Sequence, residues 1–333
     1  MNNIVSQANS PVKKIRWGII GCGAISERFM QGLSAVPDTE IIVAWSRRPE
    51  SVKSFCDKYG AKACLDADEL LASDIDAVYI ATLPDSHSQY SIAALRAGKN
   101  VLCEKPACIN LSDLEMVLRE AEKSNLLFME AMKPPFFPLY RKLKAHLKDD
   151  PIGETGYLRA GSSVIGVNDN HPSLSHDLAG GSIMGIGVYE AFLAADWLGG
   201  AEAVQAMGNI GATGVDMFSV FQTRHDKGFG QFYTGFEVYG KGDALICGSK
   251  GHVTIHHSWW NPVSATIEYS DGRVVELHEP FAAGGLNYEI AHFCELLNEG
   301  QLESPVVSHD ISRMTIGLLD KVRAQVGLKF KGE

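Results

Sequence analysis

Trp17-Gly18-Ile19-Ile20-Gly21-Cys22-Gly23-Ala24-Ile25-Ser26 decides how this chain is read. An isoleucine-rich apolar run feeds into Gly21-x-Gly23-x-x-Ser26, and a helical pattern follows from about Ala24 to Ala35. Strand, glycine turn and helix together form the context in which such a turn binds a dinucleotide. Gly21 permits the tight turn. Gly23 lets the backbone approach a pyrophosphate, which rests on the positive end of the helix that Ala24 and Ile25 open. The third position packs helix on strand and must be small; Ser26 stands there.

Working outward, the second strand, Glu40 to Trp45, ends in Ser46-Arg47-Arg48-Pro49. A site specific for NAD places an acid near this point to hold the ribose 2′-hydroxyl. No acid occurs from Ile41 to Pro49, and a hydroxyl with two guanidiniums stands in its place. Arginine grips phosphate through a planar fork, so Ser46, Arg47 and Arg48 point to NADP(H). NAD remains the alternative, with the two arginines merely solvated. Further strands are expected at Asp76 to Thr82, Asn100 to Cys103 and Leu126 to Met129, alternating with helices. Such alternation predicts a doubly wound parallel sheet. Thr82-Leu83-Pro84 falls at its ligand-binding edge. His87 is either a ligand-side residue or simply the start of the next helix.

The chain of 333 residues is long enough for two cores, with a dinucleotide-binding Rossmann domain expected over 13–132 and a substrate-binding and oligomerisation α+β domain over 133–333. The net charge of -10 argues against nucleic acid or an anionic membrane as the main partner. No apolar run approaches the roughly 20 residues of a membrane span. Met1 to Pro11 is polar and reads as a disordered lead rather than a signal. The 7 cysteines include no CxxC pair, which fits reduced thiols in a cytoplasm and no metal site.

Glu104-Lys105-Pro106 follows a buried strand at the same sheet edge as the glycine turn. A lysine there could polarise a substrate oxygen beside a nicotinamide, or be an ordinary turn lysine. Chemistry alone does not choose. The chain resembles the glucose–fructose oxidoreductase and inositol dehydrogenase family (Gfo/Idh/MocA). The likeness rests on Gly21-x-Gly23, Leu83-Pro84-x-x-His87 and, above all, Gly98-Lys99-Asn100-Val101-Leu102-Cys103-Glu104-Lys105-Pro106. It continues in Phe128-Met129-Glu130-Ala131, Pro151-Ile152-Gly153-Glu154 and Ala179-Gly180-Gly181-Ser182-Ile183-Met184-Gly185-Ile186-Gly187-Val188-Tyr189. The flavour is that of the dimeric dihydrodiol dehydrogenase-like branch.

The resemblance implies hydride transfer between a nicotinamide and the CH–OH or C=O carbon of a sugar, polyol or cyclic diol. Lys105 matches the signature lysine and Tyr189 the general acid/base. Gly185 stands where the family usually has an acid, which motivates a rival reading as an NADP-binding sensor with weak catalysis. Glu190 and Asp177 lie nearby but at other spacings. Lys133 replaces part of an aromatic-and-arginine pattern and is read as a substrate ligand; His176 is a further loop candidate. Beyond Glu154, strand patterns and the Asp271-Gly272 hairpin signal predict an open, largely antiparallel sheet. Helices containing Gly187 to Leu198 and Tyr288 to Asn298 should cover one face. Phe218, Phe229, Phe232 and Tyr233 would face a partner, giving a homodimer, or else the intramolecular core. Trp259-Trp260 could line a pocket or an interface.

Overall fold

The computed structural model describes residues 14–331 and 333; the expected N-terminal lead lies outside them. The first sheet comprises β1 (Ile15–Ile20), β2 (Thr39–Trp45), β3 (Lys62–Ala63), β4 (Ala77–Ile80), β5 (Asn100–Glu104) and β6 (Phe128–Ala131). All neighbours are parallel, in the order β3-β2-β1-β4-β5-β6. The order reverses across β1 and β4, so a ligand crevice is expected at their C-terminal ends. The strands read as apolar runs because helices cover both faces. Trp17, Ile19 and Ile20 are fully buried. Phe29 of the helix Ala24–Leu33 stacks on Tyr79 of β4 at 3.9 Å between ring centroids.

Gly21 has φ +104°, and a Cβ on it would stand 2.4 Å from the Ala81 carbonyl oxygen. Only glycine fits that turn. Ser26 is buried and its hydroxyl donates to the Gly21 carbonyl, so the small third residue ties helix to turn by a hydrogen bond as well as by close packing.

The second sheet contains β7 (Thr155–Ser163), β8 (Ala203–Ile210), β9 (Asp216–His225), β10 (Gly228–Gly235), β11 (Ala244–Gly248), β12 (Gly251–Ile255), β13 (Ser264–Tyr269) and β14 (Val274–His278). Its order is β14-β13-β12-β11-β7-β10-β9-β8, antiparallel except for the parallel pair β7 and β10. The hairpin at Asp271-Gly272 joins β13 to β14. Helices Gly187–Leu198, His309–Val326 and Pro138–Asp149 pack on the inner face.

Two expectations are corrected here. The helix Asn287–Asn298 does not serve as a main cover of this sheet. It packs on Ala24–Leu33 and brings Phe293 within 5.2 Å of the Trp17 ring. Gly32 makes the approach possible, since a Cβ there would stand 2.8 Å from the Asn287 nitrogen. Phe232 faces inward against Phe221 at 5.0 Å, because alternation along β10 puts it on the face opposite Phe229. The outer face instead carries Met207 (73% exposed), Phe229 (58%), Val220 and the Phe218–Tyr233 pair. Among the described residues no single helix is long and apolar enough to cross a membrane.

Glu190 lies on the helix Gly187–Leu198, fully buried where that helix meets the sheet. Its carboxyl accepts from Ser162 Oγ at 2.9 Å and from Trp259 Nε1 at 3.2 Å. Trp259 is thus a core residue. Burial pushes the Glu190 carboxyl up to about 8, whereas an unfolded glutamate titrates near 4.3. The folded state therefore holds a proton that the unfolded state has lost, and this contribution to stability fades as pH rises from about 4.5 to 8. Glu190→Gln should show a smaller fall in Tm than the wild type between pH 5 and pH 9, measured by circular dichroism; parallel curves would contradict the assignment.

Candidate active site

A cavity of about 540 Å³ opens at the C-terminal edge of the first sheet, between it and the second layer. Gly23, Ala24 and Ile25 form one wall and Thr82, Leu83, Pro84 and His87 another. Glu104 and Lys105 reach it from the end of β5, and Lys133 from just beyond β6. Tyr189 enters from the opposite side, on the first turn of Gly187–Leu198.

Gly23 differs from Gly21. A Cβ there would meet nothing of the protein within 4 Å. The missing side chain leaves open space over the N-terminus of Ala24–Leu33, where backbone N–H groups and the helix dipole favour an anion.

The loop that carries Lys105 is held from several directions. Tyr79 donates its hydroxyl to Glu104 at 2.6 Å. The Ala107 N–H donates to Glu130 at 2.9 Å, and Ser312 donates to the other oxygen of Glu130 at 2.6 Å. His87 is buried, with Nδ1 2.8 Å from the Pro106 carbonyl and Nε2 3.2 Å from that of Thr82. Burial pushes its pKa down, and a neutral ring donates through one nitrogen only. Both earlier readings of His87 thus describe it in part. It opens the helix His87–Arg96 and lines the cavity, while its ring joins the loops after β4 and β5.

Lys105 Nζ donates to the Gly185 carbonyl at 2.7 Å and stands 4.7 Å from the centroid of the Tyr189 ring. Lys133 Nζ stands 5.4 Å from the same centroid. Burial pushes the Lys105 ammonium down, opposed by Glu104. Lys133 falls to about 7, through burial first and then the cations Arg28 and Lys105. Burial, with Glu104 and Glu289, pushes the Tyr189 phenol well above its ordinary value. At neutral pH it is a proton donor.

Among the described residues the backbone oxygen of Gly185, and no carboxylate, accepts from Lys105. A Cβ at Gly185 would find Phe236 at 3.5 Å and Ser173 at 3.8 Å, ordinary contacts. Neither nearby acid takes the vacant place: Glu190 faces the sheet and Asp177 lies outside the cavity lining.

The structure does not bring every expected residue together. Arg48 lines the cavity from the N-cap of the helix Pro49–Tyr59. Arg47 is exposed beside it, and Ser46 lines a separate hollow with Trp45 and Lys53. His176 contacts the Lys329 carbonyl at 2.6 Å and does not line the cavity; His171 does.

Arg28 and Glu289, neither of them a site residue expected from the sequence, also line the cavity. Arg28 reads as the solvated face of its helix. Glu289 had a signal: it stands four and seven residues before Phe293 and Leu296, on the stripe that buries both. An acid on an apolar stripe is worth noting.

Residues 15–132 match the GFO_IDH_MocA family, described as an oxidoreductase family with an NAD-binding Rossmann fold. The scyllo-inositol 2-dehydrogenase (NADP(+)) IolU of Bacillus subtilis is 30% identical over 341 residues, covering 96% of this chain and 99% of that protein. The trans-1,2-dihydrobenzene-1,2-diol dehydrogenase of Homo sapiens is 30% identical over 333 residues, covering 95% and 98%. Among solved structures, the 3-ketoreductase KijD10 of Actinomadura kijaniata, in complex with NADP and TDP-benzene, superposes with a TM-score of 0.84. It is 26% identical, over 94% of this chain and 98% of that one. The glycine turn, the Glu104-Lys105-Pro106 loop, both sheets and these relatives agree, and the chain belongs to the GFO_IDH_MocA oxidoreductase family.

Proposed function

We propose that this protein is an NADP(H)-dependent oxidoreductase acting on the CH–OH or C=O carbon of a sugar, polyol or cyclic diol. The observation that carries the reading is the meeting of Lys105 and Tyr189 across one cavity with the glycine turn. The open space above Gly23 fits a pyrophosphate, and the guanidinium of Arg48 fits a 2′-phosphate. The relatives with NADP in their names or complexes support that cofactor over NAD.

Held between the glycine turn and Arg48, a nicotinamide dinucleotide would supply or accept the hydride at the substrate carbon. The chain's own groups handle the oxygen. In reduction, the carbonyl carbon gains hydride and its oxygen gains the Tyr189 proton, which solvent restores. Lys105 keeps one N–H on Gly185 and turns the rest of its ammonium toward that oxygen, stabilising negative charge as it develops. Oxidation runs the same steps backward and needs Tyr189 to give up its proton first. Burial opposes this, so the cation of Lys105 or of an oxidised nicotinamide must assist.

The second reading, an NADP-binding sensor, draws on Gly185, since no acid completes the pair. We also propose a homodimer through the outer face of the second sheet, supported by the exposed Met207 and Val220, paired across β8 and β9, with Tyr233 opposite Val220 and the exposed Phe229 further along β10.

Lys105→Met and Tyr189→Phe should each lower kcat with NADPH by about 10²- to 10⁴-fold, as expected for loss of positioned acid–base catalysis. NADPH affinity, followed by nicotinamide fluorescence, should stay within about threefold. Undiminished turnover would remove the roles assigned, and a wild type without turnover on any sugar or diol would favour the sensor. Arg48→Ala should weaken NADPH binding about tenfold and leave NADH binding unchanged; equal loss for both would return Arg48 to a solvated surface role. Sedimentation velocity at micromolar concentration should give a dimer, and Phe229→Asp should give monomer; a wild-type monomer would contradict the proposed interface.

A further inference from the structure

The acid–base reading leaves Glu289 without a task. It is 1% exposed, lines the cavity from the first turn of Asn287–Asn298, and its Oε2 has no hydrogen-bond partner. A buried carboxyl oxygen left unpaired is costly, so a bound group that donates to it is favoured there. Lys133 is likewise buried and cavity-lining, and among the described residues its ammonium faces the Tyr189 ring at 5.4 Å rather than a hydrogen-bond or ion-pair partner.

The two side chains come from different directions, Lys133 from beyond β6 and Glu289 from the helix that packs on Ala24–Leu33. Each lies near enough to act on the other's charge, yet they are not in contact as an ion pair. We propose that Glu289 and Lys133 form an acceptor–donor subsite for a substrate hydroxyl beyond the reacting carbon.

A hydroxyl both gives and takes a hydrogen bond through a single oxygen. It would donate to Glu289 and accept from Lys133. Burial pushes Lys133 down to about 7 and Glu289 upward, so it disfavours the charged form of both and suits an uncharged hydroxyl between them. The rest of the lining supports a polar ring. Arg28, Glu104, Lys105 and Ser173 surround the space, and among the described residues Tyr189 is the one carbocyclic aromatic ring in it. A dihydroxylated hydrocarbon ring would leave the pair unmatched, and sites built around buried polar groups reject analogues that lack the matching hydroxyl.

The inference deepens the oxidoreductase reading and rests on it for the placement of the substrate. The test uses scyllo-inositol and trans-cyclohexane-1,2-diol, which share a six-membered carbocycle and a vicinal diol and differ in the remaining hydroxyls. Steady-state rates with NADP and equilibrium binding of each ring to the NADPH-loaded protein, by ligand-detected NMR, are measured on the wild type, Glu289→Gln and Lys133→Met. The wild type should favour the inositol at least about tenfold. Each variant should lose about 10- to 100-fold in kcat/KM for the inositol, mainly through KM, and less than about threefold for the diol. NADPH affinity should not move.

Equal losses on both rings, or no preference in the wild type, would overturn the subsite. A tenfold weakening of NADPH binding in Glu289→Gln would place that carboxyl on the cofactor and also overturn it. Selective inositol binding that both variants abolish, without turnover in the wild type, would uphold the subsite and sink the oxidoreductase reading. Either variant answers the question should the other fail to fold.

Discussion

Lys105 Nζ reaches 2.7 Å from the Gly185 carbonyl, and through that bond the end of β5 meets the turn that carries Tyr189. The two residues are far apart in sequence and lie in different layers. Everything that places either one therefore bears on the site. On the first side, Tyr79, His87 and Glu130 fix the loop around Glu104 and Pro106. On the second, the buried Asp216 accepts from Ser182 Oγ at 2.6 Å and from the Ile183 N–H at 3.0 Å, pinning the start of the turn. Reaction geometry must be held to fractions of an ångström, and buried hydrogen-bonded supports of this kind provide that rigidity.

Burial is the common cause of the site's electrostatics. It pushes Lys105 and Lys133 down and Tyr189 and Glu289 up, in each case toward the neutral form. The guanidiniums of Arg28 and Arg48 stay charged at the same cavity. A ligand carrying charge at the helix N-terminus, or developing it at a reacting oxygen, would find donors already in place, and in a dry cavity such donors act strongly. The lysine at Gly185 shows that a backbone oxygen can orient the amine without a carboxylate, so the missing acid leaves the pair geometrically intact.

Much of this was legible in the sequence because it depends on local rules. The doubly wound parallel sheet follows from the alternation of apolar runs and helical periods, and the turn at Gly21 from the need for positive φ. Lys105 and Tyr189 were found through family motifs; their spacing alone left Lys105 undecided. What escaped notice depends on tertiary placement. Glu289 lies on the apolar stripe of its helix, but what that stripe faces depends on Asn287–Asn298 packing against Ala24–Leu33 rather than the second sheet. Phe232 was assigned the wrong face, since alternation fixes that Phe229 and Phe232 differ but not which points outward. The long-range bond of His176 to Lys329 has no local signature.

The central claim is that Lys105 and Tyr189 meet over the reactive face of a bound nicotinamide. A crystal structure of the protein with NADP tests it most directly. The account predicts the nicotinamide C4 within about 5 Å of the Tyr189 hydroxyl, room for a reacting carbon at near-attack distance, with the Lys105 ammonium on the same side of the ring. A nicotinamide lying elsewhere, or Lys105 and Tyr189 facing away from C4, would contradict it.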